Sequence, residues 1–270
     1  MTVWSRDLLA EANDLPDHEV VRLLMAATDR TRSNVLIGFE VSPTELETFR
    51  SFADRRRADE PLQYIEGTVP FGPVVLRVDP RVLIPRPETE YLFEQLVSMV
   101  DAPQVIVDLC TGSGNLALAL AATFPQAEVF AVDLSEAAAE VARLNGAEND
   151  LDINVLVGDL FDPLPDAIRG RIDLLVSNPP YLAEGELTSL PADVLAEPVM
   201  ALVAGSGGDE VLARIAEQAG EWLAPGGIVA CEISELHSKR VAELFNGFGA
   251  TIGKDLTGRD RYVYGTSRFG

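Results

Sequence analysis

Past residue 100 the chain alternates short apolar, strand-like runs with longer helix-like stretches, and this pattern leaves few folds open. The runs are residues 105–109, 127–133, 153–157, 172–177 and 227–232. Strands separated by helices pair in parallel, because a parallel crossover needs a dozen or more residues and the helix covers the sheet on its return. The expectation is an α/β fold, a mostly parallel sheet with helices on both faces. Residues 251–264 add one or two further strands, antiparallel at the sheet edge.

The first sixty residues read differently, as helices joined by short loops. Val20, Val21, Leu23, Leu24 and Met25 follow Pro16-Asp17. In Ser42-Pro43-Thr44-Glu45, Ser42 suits an N-cap, Pro43 the first turn, and Glu45 the return bond of a capping box, so Leu46, Phe49 and Phe52 should pack inward. Residues 65–84 are β-branched and aromatic, broken by Gly67, Pro70, Gly72, Pro73 and Pro80, which suits a hairpin. Arg86-Pro87-Glu88-Thr89-Glu90 then opens an amphipathic helix through Leu92, Leu96 and Val100. The expected domains are a helical segment 1–63, a β-hairpin linker 64–85 and an α/β domain 86–270.

Composition narrows the function. The 270 residues carry 43 acidic and 21 basic side chains, a net charge of −22, which disfavours direct nucleic-acid binding because that affinity comes from Lys and Arg neutralising phosphates. No apolar run reaches the roughly 18 residues of a membrane span, and residues 1–13 lack the apolar block of a secretory signal, so no membrane role is expected. Two cysteines, Cys110 and Cys231, are too few for a disulfide framework and fit a reducing, cytoplasmic setting. His18 and His237 have no ligand spacing and read as exposed helix residues, so no metal site is expected. A monomer is the default.

Three strand ends carry the residues of a nucleoside site. Asp108-Leu109-Cys110-Thr111-Gly112-Ser113-Gly114-Asn115 follows one strand and precedes a helix, where glycines let backbone approach a ligand closely. Asp133 closes the next strand, placed to accept both ribose hydroxyls. Gly158-Asp159-Leu160-Phe161 closes the third, with Asp159 a partner for an adenine amino group and Leu160 a cover for the ring. The glycine turn is not the G-x-G-x-x-G of dinucleotide enzymes, and a nucleoside with a sulfonium amino-acid tail needs no pyrophosphate turn.

Asn178-Pro179-Pro180-Tyr181 comes directly after residues 172–177, at the carboxyl edge where open sheets bind ligands. The Asn178 side-chain oxygen and the Pro179 carbonyl can accept both hydrogens of a planar NH2 group, Pro180 stiffens the turn, and Tyr181 offers an aromatic face. A carboxamide fits these acceptors. An exocyclic adenine amine fits them as well, although such an enzyme needs a basic track that this chain lacks. A nucleoside-binding module without turnover would leave Asn178 and Tyr181 unexplained.

Taken in order, these motifs resemble the release-factor glutamine N5-methyltransferase family over nearly the whole chain. The resemblance rests on Pro61-Leu62-Gln63-Tyr64-Ile65 with Gly67 and Phe71, on Leu83-Ile84-Pro85-Arg86-Pro87-Glu88-Thr89-Glu90, and on residues 108–114, Asp133 and Asn178 to Tyr181. Glu197-Pro198 with Ala201-Leu202, and Gly258-Arg259-Asp260-Arg261, resemble its C-terminal half.

The resemblance implies a Rossmann-like class I methyltransferase sheet of seven strands, S-adenosyl-L-methionine as cofactor, and a helical segment that docks peptide chain release factors through their Gly-Gly-Gln (GGQ) loop. It implies that Asp108, Cys110, Thr111, Gly112, Ser113, Gly114, Asp133, Asp159, Leu160 and Asn178 line the cofactor site. Asn178, Pro179, Pro180 and Tyr181 would hold the glutamine, and Arg86 and Glu88 would border its channel. A ribosomal-protein glutamine is the neighbouring alternative. Family members often carry glycine where Cys110 stands and a large aromatic where Leu160 stands, which implies a stiffer loop and a smaller adenine contact here.

Overall fold

The structure is a computed structural model that describes residues 3–267. It divides into two units, Met1–Thr68 with Pro191–Ala196, and Val69–Leu190 with Glu197–Gly270. In the first unit Pro16 sits at the N-cap of helix Asp17–Thr28, which buries Val20, Val21, Leu23 and Leu24 and ends at Asp29 in left-handed backbone (φ 52°). Ser42 caps helix Pro43–Arg57: its Oγ accepts from the Glu45 amide at 3.3 Å while Glu45 Oε2 accepts from the Ser42 amide at 2.8 Å. Phe49 is buried with Leu8, Val35 and Ala53, whereas Leu46 and Phe52 reach this core only partly.

One local expectation changes. Residues 65 and 66, where the hairpin was expected to begin, belong instead to the short helix Leu62–Glu66, started by Pro61 and ended by Gly67 at φ +77°. A proline that presets the first turn and a glycine that accepts the left-handed exit outweigh the strand preference of Tyr64 and Ile65. The hairpin is shorter than residues 65–84 and consists of Thr68–Phe71 and Val74–Arg77.

The second unit holds a seven-stranded sheet. From edge to edge its strands are Thr251–Lys254, Asp260–Thr266, Leu223–Glu232, Ile172–Ser177, Val105–Leu109, Glu128–Asp133 and Asn154–Val157. Five are parallel, and Asp260–Thr266 runs antiparallel to both of its neighbours. Val105–Leu109 is buried at every position, as expected of a strand with helices on both faces. Helix Glu210–Trp222 buries Leu212, Ile215, Ala219 and Trp222, one stripe at helical spacing, and Trp222 stacks on Phe161 with ring centroids 5.8 Å apart. No helix among the described residues is long and apolar enough to cross a membrane.

Asn145, on helix Glu136–Glu148, ties the hairpin to the glycine loop. Its Oδ1 accepts from the Arg77 amide at 2.7 Å, and its Nδ2 donates to the Arg77 carbonyl at 3.1 Å and the Ser113 carbonyl at 2.8 Å. Asn145 is fully buried, so its removal leaves buried backbone groups unpaired. Asn145→Ala should lower unfolding stability by about 2 kcal/mol or more; a denaturant midpoint unchanged from wild type would contradict this.

Candidate active site

Chain connectivity reverses direction between Val105–Leu109 and Ile172–Ser177, which lie side by side at the centre of the sheet. Loops leaving these two strands therefore part in opposite directions and open a crevice at their carboxyl ends. A cavity lies there, lined by Cys110, Thr111, Gly112 and Ser113 after the first strand, by Asp133 and Leu134 after the second, by Gly158, Asp159 and Leu160 after the third, and by Asn178 and Pro180 after the fourth. Sequence-predicted residues from four strand ends thus converge on one space.

The glycine loop turns sharply. Cys110, Gly112 and Gly114 all take left-handed backbone, at φ 59°, 56° and 82°. A Cβ on Gly114 would sit 3.2 Å from Leu118 Cδ1 and 3.3 Å from the Ala142 side chain, so both conformation and space favour glycine there. At Cys110 the same conformation is held by a residue with a Cβ, at a cost of about 1–2 kcal/mol relative to glycine. Leu160 is likewise left-handed, at φ 49°, and its side chain packs into the core while also lining the cavity. Cys110 and Leu160 thus both hold strained backbone at the cavity.

Asp108 and Gly114 belong to the loop but do not line the cavity. Asp108 stands behind it: Oδ2 accepts from Thr111 Oγ1 at 2.6 Å and from the Ala117 amide at 3.1 Å, pinning the loop to the start of helix Asn115–Thr123, while Oδ1 is buried without a partner. Burial pushes the Asp108 carboxyl up to about 7, with the two hydrogen bonds opposing and the charge of Asp133 adding. At Asp133, Oδ2 accepts from the Gly112 amide at 2.8 Å and Oδ1 from the Ser135 amide at 2.9 Å, which leaves a lone pair on each oxygen for a ligand hydroxyl. Burial raises the Asp133 carboxyl above its ordinary range, against these backbone bonds. Asp159 Oδ2 accepts from Arg214 at 2.8 Å, holding that carboxylate at the cavity wall.

At the fourth strand end the Asn178 Nδ2 donates to Thr89 Oγ1 at 3.1 Å, and Thr89 Oγ1 donates to Glu232 Oε2 at 2.7 Å. Tyr181 donates its hydroxyl to Glu232 Oε1 at 3.1 Å. The Asn178 Oδ1 is buried and has no hydrogen-bond partner. Pro179 and Tyr181 do not line the cavity, and the Tyr181 hydroxyl is raised far above its ordinary range by burial and then by the charge of Glu232. Arg86 is engaged by the buried Glu197, which also accepts from the Ile84 amide at 3.1 Å. The Glu88 carboxylate lies 3.6 Å from Arg259, and its carbonyl accepts from the Tyr262 hydroxyl at 2.7 Å.

Thr89, Glu197 and Glu232 complete this corner, although the sequence assigns none of them a role. Glu232 carried a signal, since a carboxylate closing an apolar strand is costly unless paired. His237, expected as an exposed helix residue, is half-buried with Nε2 inaccessible, because the short turn Glu235–His237 folds it inward. No group of side chains suited to a metal occurs among the described residues.

Comparison with known proteins follows the same order along the chain. Residues 2–67 match the PrmC N-terminal domain family and residues 87–207 the Methyltransferase small domain family. The release factor glutamine methyltransferase of Mycolicibacterium smegmatis is 42% identical over 93% of this chain and 89% of its own length. The chain belongs to the release factor glutamine methyltransferase family. Another member, from Deinococcus radiodurans, is 37% identical over 96% of each chain. A methyltransferase crystal structure from Pyrococcus furiosus superposes with a TM-score of 0.54 at 19% identity, over 73% of this chain and 90% of that one, a likeness of fold. The sheet is that of a class I methyltransferase.

The state of Asp108 in this family member makes its stability depend on pH. The folded carboxyl binds a proton more tightly than the unfolded one, so its stabilising contribution is full below the ordinary carboxylate range and is lost as pH rises towards about 7. Relative to Asp108→Asn, the wild type should lose stability between about pH 5 and pH 7. Denaturant unfolding of both proteins across that window tests this, and parallel stability profiles would count against it.

Proposed function

We infer that the chain transfers the methyl group of S-adenosyl-L-methionine to the side-chain amide nitrogen, N5, of the glutamine in the GGQ loop of peptide chain release factors. The carrying observation is the Asn178 Oδ1, an acceptor buried without a partner in a residue that lines the cavity. Such an acceptor costs about 1–3 kcal/mol while unpaired, so a site of this kind rewards a ligand that brings an N–H. Membership of the release factor glutamine methyltransferase family supports a glutamine amide as that ligand.

The residues present fit S-adenosyl-L-methionine. Asp133, with one lone pair free on each oxygen, accepts the ribose hydroxyls. Asp159 and Leu160 receive the adenine, and Cys110 to Ser113 with Asn178 line the remainder. Asp108 and Gly114 act from behind, by holding the loop's shape. The carboxylates favour a cationic ligand. When bound, the cofactor supplies a methyl group already activated on a sulfonium.

The chain's own contribution is orientation and charge. An amide nitrogen is a weak nucleophile because its lone pair is delocalised, and fixing it in line with the methyl carbon removes most of the entropic barrier. The Asn178 Oδ1 and the Pro179 carbonyl accept the two amide hydrogens, and the same bonds stabilise positive charge as it develops on nitrogen, which then gives up one of these protons to water to leave the neutral N-methyl amide. Pro180 keeps the corner rigid and Tyr181, anchored on Glu232, supports it. Arg86, held by Glu197, and Glu88, beside Arg259, flank the glutamine's entry.

The helical segment 1–63 serves to dock the release factor and residues 64–85 serve as a linker to the catalytic domain 86–270. The enzyme works as a cytoplasmic monomer, and its net charge of −22 sets it against direct contact with nucleic acid.

Purified protein with radiolabelled S-adenosyl-L-methionine should label a release factor, and should not label its GGQ glutamine-to-alanine variant or DNA; label on DNA alone would overturn the assignment. Asn178→Ala should lower kcat by about 100-fold or more while calorimetric cofactor affinity stays near wild type. Asp133→Ala should weaken cofactor affinity by about 1–3 kcal/mol, and an unchanged Kd would remove Asp133 from the site. Because only an ionised Asp133 accepts from both hydroxyls, wild-type affinity should fall as pH drops through the raised carboxylate range, and this dependence should vanish in Asp133→Ala.

A further inference from the structure

Two side chains that do not line the cavity control which atom of Asn178 is offered to the substrate. The Asn178 amide has two ends of nearly equal shape, and only one orientation leaves an acceptor free for an incoming N–H. Thr89 can accommodate either. If its single proton goes elsewhere, Thr89 Oγ1 accepts from Asn178 Nδ2; if it points at Asn178, the amide must turn its oxygen towards Thr89. The deciding group is therefore whatever lies beyond Thr89.

That group is Glu232, buried at the end of strand Leu223–Glu232, with Oε2 at 2.7 Å from Thr89 Oγ1 and Oε1 at 3.1 Å from the Tyr181 hydroxyl. Burial raises the Glu232 carboxyl, opposed by the bond from Thr89, the charge of Arg261 and the bond from Tyr181; in this geometry both of its oxygens accept, so it takes the Thr89 proton, and Thr89 in turn takes a proton from Asn178 Nδ2 at 3.1 Å. Every bond then points the same way, from Asn178 through Thr89 to Glu232, and the free end of the amide is the oxygen.

Resting on the reading of Asn178 as the substrate's acceptor, we propose that Glu232 and Thr89 form a hydrogen-bond relay that fixes the polarity of the Asn178 side chain, and that both are positioning residues for methyl transfer. Glu232 has no role as a general base in this arrangement. Each of its oxygens already accepts from the site's own residues, and it stands one hydroxyl removed from Asn178. Tyr181 belongs to the same relay, because its bond to the second Glu232 oxygen steadies the carboxylate.

The test compares Thr89→Val, Thr89→Ser, Glu232→Gln and the Thr89→Val/Glu232→Gln double variant, with Asn178→Ala as reference, using the full chain, S-adenosyl-L-methionine and a release factor. Valine keeps the shape of threonine without its hydroxyl, and glutamine can donate where the carboxylate could only accept. Thr89→Val and Glu232→Gln should each lower kcat about 10- to 100-fold, with the cofactor Kd and the KM for release factor within about threefold of wild type. The double variant should be no worse than the poorer single one, as expected for residues acting in one chain. Thr89→Ser should recover kcat to within about threefold of wild type.

Losses that multiply in the double variant, or an equal loss in Thr89→Ser and Thr89→Val, would overturn the relay. Wild-type kcat in Thr89→Val beside an inactive Asn178→Ala would also sink it while leaving the role of Asn178 intact. Full activity in Asn178→Ala would instead reject the reading beneath it. Should Glu232→Gln fail to fold, the valine and serine variants decide the matter alone.

Discussion

Parallel pairing of Val105–Leu109 with Ile172–Ser177 decides where every ligand-facing group stands. Leu109 lies opposite Ser177, and the Ser177 hydroxyl donates to the Leu109 carbonyl at 2.7 Å, so the two strands end level with one another. The glycine loop begins one residue beyond the first end and Asn178 one residue beyond the second. A slip of this register by one residue would turn inward side chains outward and part the glycine loop from the Asn178 corner. The cavity is thus a consequence of strand order and register before any of its own contacts are counted.

Left-handed backbone recurs beside that junction. Cys110, Gly112, Gly114 and Leu160 all occupy left-handed backbone within two loops around one cavity. Such conformations persist only where surrounding structure over-determines them, and here Asp108, the Gly112–Asp133 bond and Asn145 supply the restraint. The outcome is a loop whose amide groups already point at fixed acceptors. A preset loop of this kind loses little conformational freedom when a nucleoside binds.

Much of the fold could be read from the residues. The alternation past residue 100 located five parallel strands, with ends that agree within a few residues, and the antiparallel edge followed. Ser42 and Glu45 formed the capping box their spacing implied. Residues 65 and 66 read as strand but fold as helix because the stretch is short, and its boundary residues Pro61 and Gly67 outweigh the strand preference between them. At the site, the four strand-end motifs converged on one cavity, since a parallel sheet places all its carboxyl ends on one edge. Asp108 illustrates the limit: its place in the motif was evident, yet only the fold turns it away from the cavity to pin the loop.

What the chain determines locally is whatever depends on neighbours a few residues apart: caps, turns, strand periodicity, glycine positions and the stiff Asn178-Pro179-Pro180-Tyr181 corner. What tertiary structure alone decides are the pairings between distant segments. Thr89 meets Glu232 across 143 residues, Arg86 meets Glu197 across 111, and Asn178 meets Thr89 across 89. A hydrogen bond's direction is set by both partners, and in a buried chain of them by the group at its far end. The orientation of the Asn178 amide therefore has no local signature, and becomes defined only when the sheet brings a carboxylate from another strand to within reach of Thr89.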